Sequence, residues 1–251
     1  MAAHPEAPRG PDPIAADVVR AYNENRREYG APKLKRALAR KGIVASRRRI
    51  KRIMRENGLV SAYERRRFRP QPSRPNEADL PNVLAREFDG HAPRTHLVGD
   101  LTYVRVGGRW GYVCLLVDLR NREIVGHSCG ERKDARLVMA AFATLRFPIS
   151  DVEVFHTDRG SEFDNAAIDE MLDAFGVERS LSGKGCPYDN AVVESTNRIL
   201  KKELVYRQTY ADIGQLRREL NSYVWWYNDE RLHSTLGYMS PVEFREAGLS
   251  L

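Results

Sequence analysis

The stretch HLVGDLTYVRV, residues 96–106, sets a carboxylate, Asp100, inside an apolar strand pattern. Two later stretches repeat the oddity. VEVFHTD, residues 152–158, runs through a buried-strand pattern straight into Asp158, and CPYDNAVVESTNRILKKEL, residues 186–204, carries Glu194 in a helical pattern. Thirty-five residues lie between Asp158 and Glu194. A carboxylate in or at the end of a buried strand is costly unless it is paired or bound to a metal. Three carboxylates brought together repel one another. A divalent cation relieves that repulsion, and Mg2+ suits hard oxygen donors. Two such ions about 3.5–4 Å apart activate a nucleophile and stabilise a leaving oxygen in phosphoryl transfer. Carboxylates on two strands and a helix therefore make chemical sense for a phosphodiester substrate. Any one of the three alone reads more simply as a cap, an ion-pair partner or a solvated side chain.

Outward from these motifs the elements alternate. Residues 96–106, 111–118 and 123–128 read as three strands, separated by turn signals at Gly107-Gly108 and at 120–122. Residues 133–146 read as a helix, 151–156 as a buried strand, 165–175 as a helix and 177–180 as a short strand. Two longer helices fit 187–207 and 212–228. Three meandering strands followed by alternating helices and strands predict a mixed α/β sheet. No internal repeat is visible.

Upstream, residues 14–29, 32–41 and 46–57 read as three short helices. Pro32 suits a first turn, Ser46 is a good N-cap, and Gly42 and Gly58 are good stops. The third helix has an apolar face of Ile50, Ile53 and Met54, and carries Arg47, Arg48, Arg49, Lys51, Arg52 and Arg55 elsewhere. This pattern suggests a helix-turn-helix module over residues 14–60 whose last helix enters a major groove. Its arginines would read guanine edges or touch phosphates. A small basic bundle that reads no bases is the plainer alternative. Residues 1–13, rich in Pro, Ala and Gly, predict a disordered tail, and residues 61–90 predict a basic, Pro-rich linker. The remaining domain is expected over 91–251.

Charge points the same way. The chain has 251 residues and a net charge of +7. Residues 1–90 hold 21 basic and 11 acidic side chains, a net of +10, while 91–251 hold 20 and 23, a net of −3. Between Lys33 and Arg69 there are 15 basic residues against 2 acidic. Such a block seeks a polyanion, because neutralising phosphates releases counterions. A membrane surface fits less well, for no basic helix with bulky apolar residues and no lipidation signal is evident. The chain shows no secretory pattern and no apolar run long enough to span a bilayer. Three scattered cysteines, Cys114, Cys129 and Cys186, make neither a disulfide framework nor a metal knuckle. These features predict a cytoplasmic, reduced protein.

The ordered motifs resemble a known family. YGAPKLKRALARKGIVASRRRIKRIMRENGL is similar to its helix-turn-helix segment, and GDLTYV to its first acidic strand. YVCLLVDLRNREIVGH is similar to the strand pair that follows. FHTDRGSEF and SGKGCPYDNAVVESTNRILKKEL are similar to its second and third acidic motifs, including the 35-residue spacing, and YNDERLHSTLGYMSPVEF to its C-terminal signature. The chain so resembles the OrfB transposases of the bacterial insertion sequence 3 family, within the DDE integrase and transposase superfamily.

The resemblance implies an RNase H-like fold: a mixed five-stranded sheet with flanking helices, preceded by the small helical module. It implies Asp100, Asp158 and Glu194 as catalytic and metal-binding residues, with Mg2+ or Mn2+, two ions, as cofactor. It also points to Lys201, which shares a helix face with Glu194 seven residues earlier and would hold a DNA phosphate. The implied activity is DNA strand cleavage followed by 3′-hydroxyl strand transfer. The implied partners are the DNA of element ends and target, OrfA or an OrfA–OrfB fusion, and further copies of the chain. An OrfB that only binds DNA, inactive without OrfA, is the rival reading; a plain RNase H-like nuclease would need neither the basic module nor the C-terminal signature.

Other residues carry two readings each. Asn190, one turn before Glu194, touches DNA, supports the site or caps the helix. Asp118 is a fourth acid near the site or, more simply, a turn-starting residue. His156 is a metal ligand or, more simply, a hydrogen-bonded core histidine. Residues 183–188 suggest a flexible loop leading to Glu194. Trp225, Trp226 and Tyr227 read as core rather than as a stacking surface. Arg231 and His233 receive no role.

Overall fold

The computed structural model describes residues 12–64, 80–163, 165–183 and 186–251. The expected tail, but for residues 12 and 13, and half of the expected linker, residues 65–79, lie outside them. So do two residues of the expected loop before Glu194. The chain divides into two compact units, residues 1–68 and 69–251.

The first unit is a three-helix bundle of α1 (Ala15–Glu24), α2 (Ala31–Arg40) and α3 (Arg47–Glu56). Helix α1 stops before residue 29, because Arg26 and Arg27 take positive φ of 54° and 62° and the Arg27 N–H donates to the Tyr22 carbonyl. Pro32 sits in the first turn of α2. The Ser46 hydroxyl caps α3, accepting from the Arg49 N–H at 3.1 Å. Val18, Tyr22, Leu34, Leu38, Ile50, Ile53 and Met54 form its core. The apolar face expected of the third helix is thus the buried one.

The second unit is built on a five-stranded sheet in the order β3-β2-β1-β4-β5. Its strands are β1 (His96–Val106), β2 (Arg109–Asp118), β3 (Ile124–Gly130), β4 (Val154–Thr157) and β5 (Glu178–Leu181). β1, β2 and β3 form an antiparallel meander, and β4 and β5 join in parallel. The β1–β2 register runs unbroken from Leu97↔Asp118 to Val106↔Arg109 across the Gly107-Gly108 turn, where both glycines have positive φ.

One face of the sheet packs on α4 (Ala135–Phe142) and α5 (Ala166–Ala174), through Leu97, Cys114, Leu116, Leu137, Phe142, Phe155, Ile168 and Leu172. Helix α6 (Ala191–Glu203) packs on β1 and β2, and α7 (Ile213–Asp229) on β3. A last helix, α8 (Pro241–Glu246), begins with a Ser240/Glu243 capping box. No helix was expected there, although Ser240, Pro241 and Glu243 spell a helix start. The reading of 187–207 as one helix also breaks up: a 3-10 turn, Pro187–Asn190, precedes α6 and another, Val205–Arg207, follows it.

Residues 80–90, read from sequence as the end of the linker, are instead bound into the second unit. The Leu181 N–H donates to the Pro81 carbonyl, and the amides of Val83 and Leu84 donate to the Ser180 hydroxyl. Among the described residues no helix is long and apolar enough to cross a membrane.

Candidate catalytic site

The parallel pairing of β1 with β4 covers only His96↔Val154 to Gly99↔Thr157. Asp100 is the next residue on one strand and Asp158 the next on the other. The two carboxylates therefore leave adjacent strands at the same level, where the sheet loses its parallel rung. Helix α6 brings Glu194 to the same place from its first turn. Burial, then the negative charges of Asp158 and Glu194, push the Asp100 carboxyl up to about 8. Asp158 and Glu194 are also raised, each chiefly by burial. The three expected residues are thus brought together closely enough for their charges to oppose one another.

Asp100 and Asp158 are held by hydrogen bonds. The Leu101 N–H donates to Asp100 Oδ1 at 2.8 Å, and Asn197 Nδ2 donates to Oδ2 at 2.7 Å. Asn197 lies one turn past Glu194 on α6, so a single side chain ties the first acidic strand to the third acidic element. The Gly160 N–H donates to Asp158 Oδ1 at 2.9 Å. Beside Asp158 stands a fourth acid, Glu162, buried and paired with Lys133 at 2.9 Å. Glu162 raises the Asp158 carboxyl further, and Lys133 opposes it.

Gly99 fixes the height of the strand. A Cβ there would fall 2.7 Å from the Phe155 ring, so only glycine lets β1 lie against it. The Gly99 carbonyl accepts from Asn190 Nδ2 at 3.2 Å. Asn190 is buried and makes no capping bond to α6. It braces the residue before Asp100 and has no surface to offer DNA.

The turn before α6 is anchored by Asp189, which the sequence did not single out. This buried carboxylate accepts from Asn82 Nδ2 at 3.0 Å, from the Gly183 N–H at 2.9 Å and from the Arg86 guanidinium. His156 is buried between the hydroxyls of Ser180 and Ser182, at 2.8 and 3.1 Å, and burial lowers its imidazole to about 4. It is a core histidine. Asp118 accepts from the amides of Arg94 and Arg120 at 2.9 Å each, as a turn-starting residue does. Trp226 and Tyr227 are buried, whereas Trp225 is 58% exposed.

Arg231 acquires a place. Its guanidinium makes a two-pronged bond to Glu203 at 2.8 and 2.9 Å, and Tyr223 donates to the same carboxylate at 2.9 Å. All three are buried. The C-terminal signature thereby grips the last turn of the helix that carries Glu194.

On the basic helix α3 the arginines divide. Arg47, Arg48 and Arg55 are exposed, as is Lys51. Arg49 and Arg52, expected to face DNA, are drawn to Asp12 instead, at 2.6 and 2.7 Å.

Among the described residues no three His, Cys, Asp or Glu side chains surround one point ready to hold an ion. The donor set nonetheless suits a hard divalent cation. It is all carboxylate, and the raised Asp100 shows an electrostatic strain that such an ion offsets.

Comparison with known proteins follows the same division. A model of the HTH-like domain matches residues 12–67, and two models of the integrase core domain match residues 90–187 and 175–241. The chain is similar to the transposase for insertion sequence element IS904 of Lactococcus lactis subsp. lactis (strain IL1403), 29% identical over 93% of this chain and 94% of that one. It is also similar to transposase InsF for insertion sequence IS3A of Escherichia coli (strain K12), 31% identical over 93% of this chain and 82% of that one. The cryo-EM structure of the simian T-cell lymphotropic virus intasome in complex with PP2A regulatory subunit B56 gamma contains a chain of similar fold. Its TM-score is 0.51 at 16% identity, over 90% of this chain and 73% of that one. With these motifs, this sheet and these relatives, the chain belongs to the insertion sequence 3 family of integrase-core DNA transposases.

Proposed function

We propose that Asp100, Asp158 and Glu194 are the catalytic carboxylates of DNA strand cleavage and 3′-hydroxyl strand transfer at the ends of an insertion element. The observation that supports this most directly is the meeting of three acids from two strands and a helix at the end of the β1–β4 pairing. The three would hold Mg2+ or Mn2+, two ions, which when bound supply nucleophile activation and charge stabilisation for in-line displacement at phosphorus.

The chain's own residues do the positioning. Asn197 orients Asp100, the Gly160 amide orients Asp158, and the Glu203–Arg231 pair steadies the helix that presents Glu194. Lys201, one further turn along α6, offers an ammonium to a DNA phosphate beside the carboxylates; Asp100's charge reaches it. Water cuts the strand, and the freed 3′-hydroxyl attacks a second phosphodiester. Both are displacements at phosphorus, so one site serves both without a covalent protein intermediate. The exposed Arg47, Arg48 and Arg55 would meet DNA through the basic helix, with OrfA or an OrfA–OrfB fusion as the partner that completes end recognition.

The test uses a labelled element end with its 3′-hydroxyl exposed, a plasmid target and Mg2+. Joining is expected with the wild-type chain or its OrfA fusion, and is lost with a chelator. Asp158→Asn should abolish joining while DNA binding and the melting temperature stay as in wild type. Joining that survives in Asp158→Asn would refute the assignment.

A further inference from the structure

Beyond Gly99 the β4-side edge of β1 leaves β4 and is met in parallel again only at its far end, where Val106 bridges Tyr210; a chain of cations and rings runs along the β1–β2 hairpin over the same stretch. Lys201 Nζ lies 4.4 Å from the centre of the Tyr103 ring. Tyr103 meets Trp110 edge to face, with centroids 5.1 Å apart and planes at 84°. The Arg105 guanidinium lies 3.9 Å over the Trp110 ring, and Arg105 Nη1 donates to the Gly108 carbonyl at 2.9 Å. Arg105 and Trp110 are exposed.

Some cations of this unit are neutralised by acids. Arg122 is paired with Asp89, Arg179 with Asp169 and Arg245 with Glu123. Lys201 and Arg105 make no salt bridge among the described residues; each rests on a ring instead. An aromatic face holds a cation in place without neutralising it. The Gly108 carbonyl takes one guanidinium donor of Arg105, and the side chain that carries the others is exposed. Arg105 itself covers the Trp110 ring, so the group met there is an anion rather than a stacked base.

We propose that Lys201 and Arg105, held by Tyr103 and Trp110, form a phosphate-binding track. It guides one DNA strand along the β1–β2 hairpin to the carboxylates. The steps of 4.4, 5.1 and 3.9 Å reach a few nucleotides at most, since phosphates recur about every 3.4 Å of axis along a strand. Arg105 is thus a DNA-contacting residue that no motif marks. This inference rests on the catalytic reading above, because the track ends at Lys201, which the charge of Asp100 reaches.

The experiment measures binding of a labelled DNA duplex by the full chain across a salt series, without divalent metal. Arg105→Gln is expected to lower the slope of log affinity against log salt by about 0.9, the share of one phosphate. Arg105→Lys keeps the charge and should keep the slope. Trp110→Ala should act like Arg105→Gln, by freeing the guanidinium, while Trp110→Phe retains a ring and the wild-type slope. A wild-type slope in Arg105→Gln, at a wild-type melting temperature, overturns the track. An equal slope loss in Arg105→Gln and Arg105→Lys also overturns it, because the effect would then not follow the charge. The joining assay with Asp158→Asn, run beside it, separates the two ideas. Joining lost in that variant, with the slope unmoved by Arg105→Gln, removes the track and leaves the catalytic reading; joining retained removes the reading itself.

Discussion

Gly99 and His156 show how single residues set the site without touching a substrate. The Phe155 ring occupies the space a Cβ would need at Gly99. Gly99→Ala therefore forces a ring or a strand to move, and is expected to cost about 1–3 kcal/mol, as overpacking in cores does. Denaturant unfolding measures it. His156 has the opposite character, a polar group that fits only when neutral. Its imidazole is lowered from the ordinary 6.5 to about 4 by burial. Below pH 6.5 the unfolded chain takes a proton that the folded chain refuses, so the contribution of His156 to stability falls as pH drops from 6.5 to about 4 and levels off beneath. The loss approaches about 3 kcal/mol, because each tenfold difference in proton affinity between the folded and unfolded chain is worth about 1.4 kcal/mol. Unfolding of wild type and His156→Gln at the two ends of that window should show wild type losing stability relative to the variant as pH drops, while the raised carboxyls of Asp100, Asp158 and Glu194 act in the opposite sense in both. A variant as pH-sensitive as wild type would assign the effect elsewhere.

Among the elements, α6 carries the most. Its first turn presents Glu194, its second reaches Asp100 through Asn197, and its last is gripped by Arg231. Removing one member of a buried ion pair leaves the other unpaired and typically costs about 3–5 kcal/mol. Arg231→Met is expected to fall in that range by thermal or denaturant unfolding. Replacing Glu203 and Arg231 together by Met should recover a good part of it, because no lone charge stays buried. If the double variant is no better than the single, the pair is not the source of the loss.

The elements also show what a sequence can disclose. β1 was legible to the residue, because Asp100 interrupts an otherwise apolar run and two glycines mark its end. Ser46 and Pro32 placed α3 and α2 for local reasons. Helix α8 escaped, being six residues long with too little periodicity to register. Asn197, Asp189 and Glu162 escaped for another reason. Their significance lies in partners 97, 107 and 29 positions away, Asp100, Asn82 and Lys133, and nothing local marks such a pairing. Arg49 and Arg52 looked like their exposed neighbours because Asp12 is distant in sequence.

At the scale of the molecule, the boundary of the integrase-core unit follows from residues 80–90. Pro81, Asn82, Val83, Leu84 and Arg86 are bonded to β5 and to the turn before α6. They brace the side of the unit from which Glu194 is presented. A chain beginning at residue 80 is expected to melt in one transition. A chain beginning at residue 91 should melt several degrees lower, since about 1 kcal/mol shifts the midpoint of a domain this size by roughly 2–4 °C. Calorimetry on the two fragments decides it; equal midpoints would mean the segment adds nothing.

The unbroken β1–β2 register has a consequence for how such chains tolerate insertions and deletions. Side chains alternate along β1, so Leu97 and Leu101 face the core under α4 and α5 while Asp100 meets Asn197 on α6. Parity decides which side a residue takes. Adding or removing one residue between His96 and Asp100 would turn the carboxylate into the apolar core and a leucine toward the helix, with composition barely altered. A residue added at Gly107-Gly108 would lengthen the turn and disturb the bond from the Gly107 N–H to the Tyr210 carbonyl, but it would leave the parity of the residues before Asp100 as it is. The facing of Asp100 is thus kept by counting, and an added residue can be absorbed at the hairpin tip but not in the four residues that lead to Asp100.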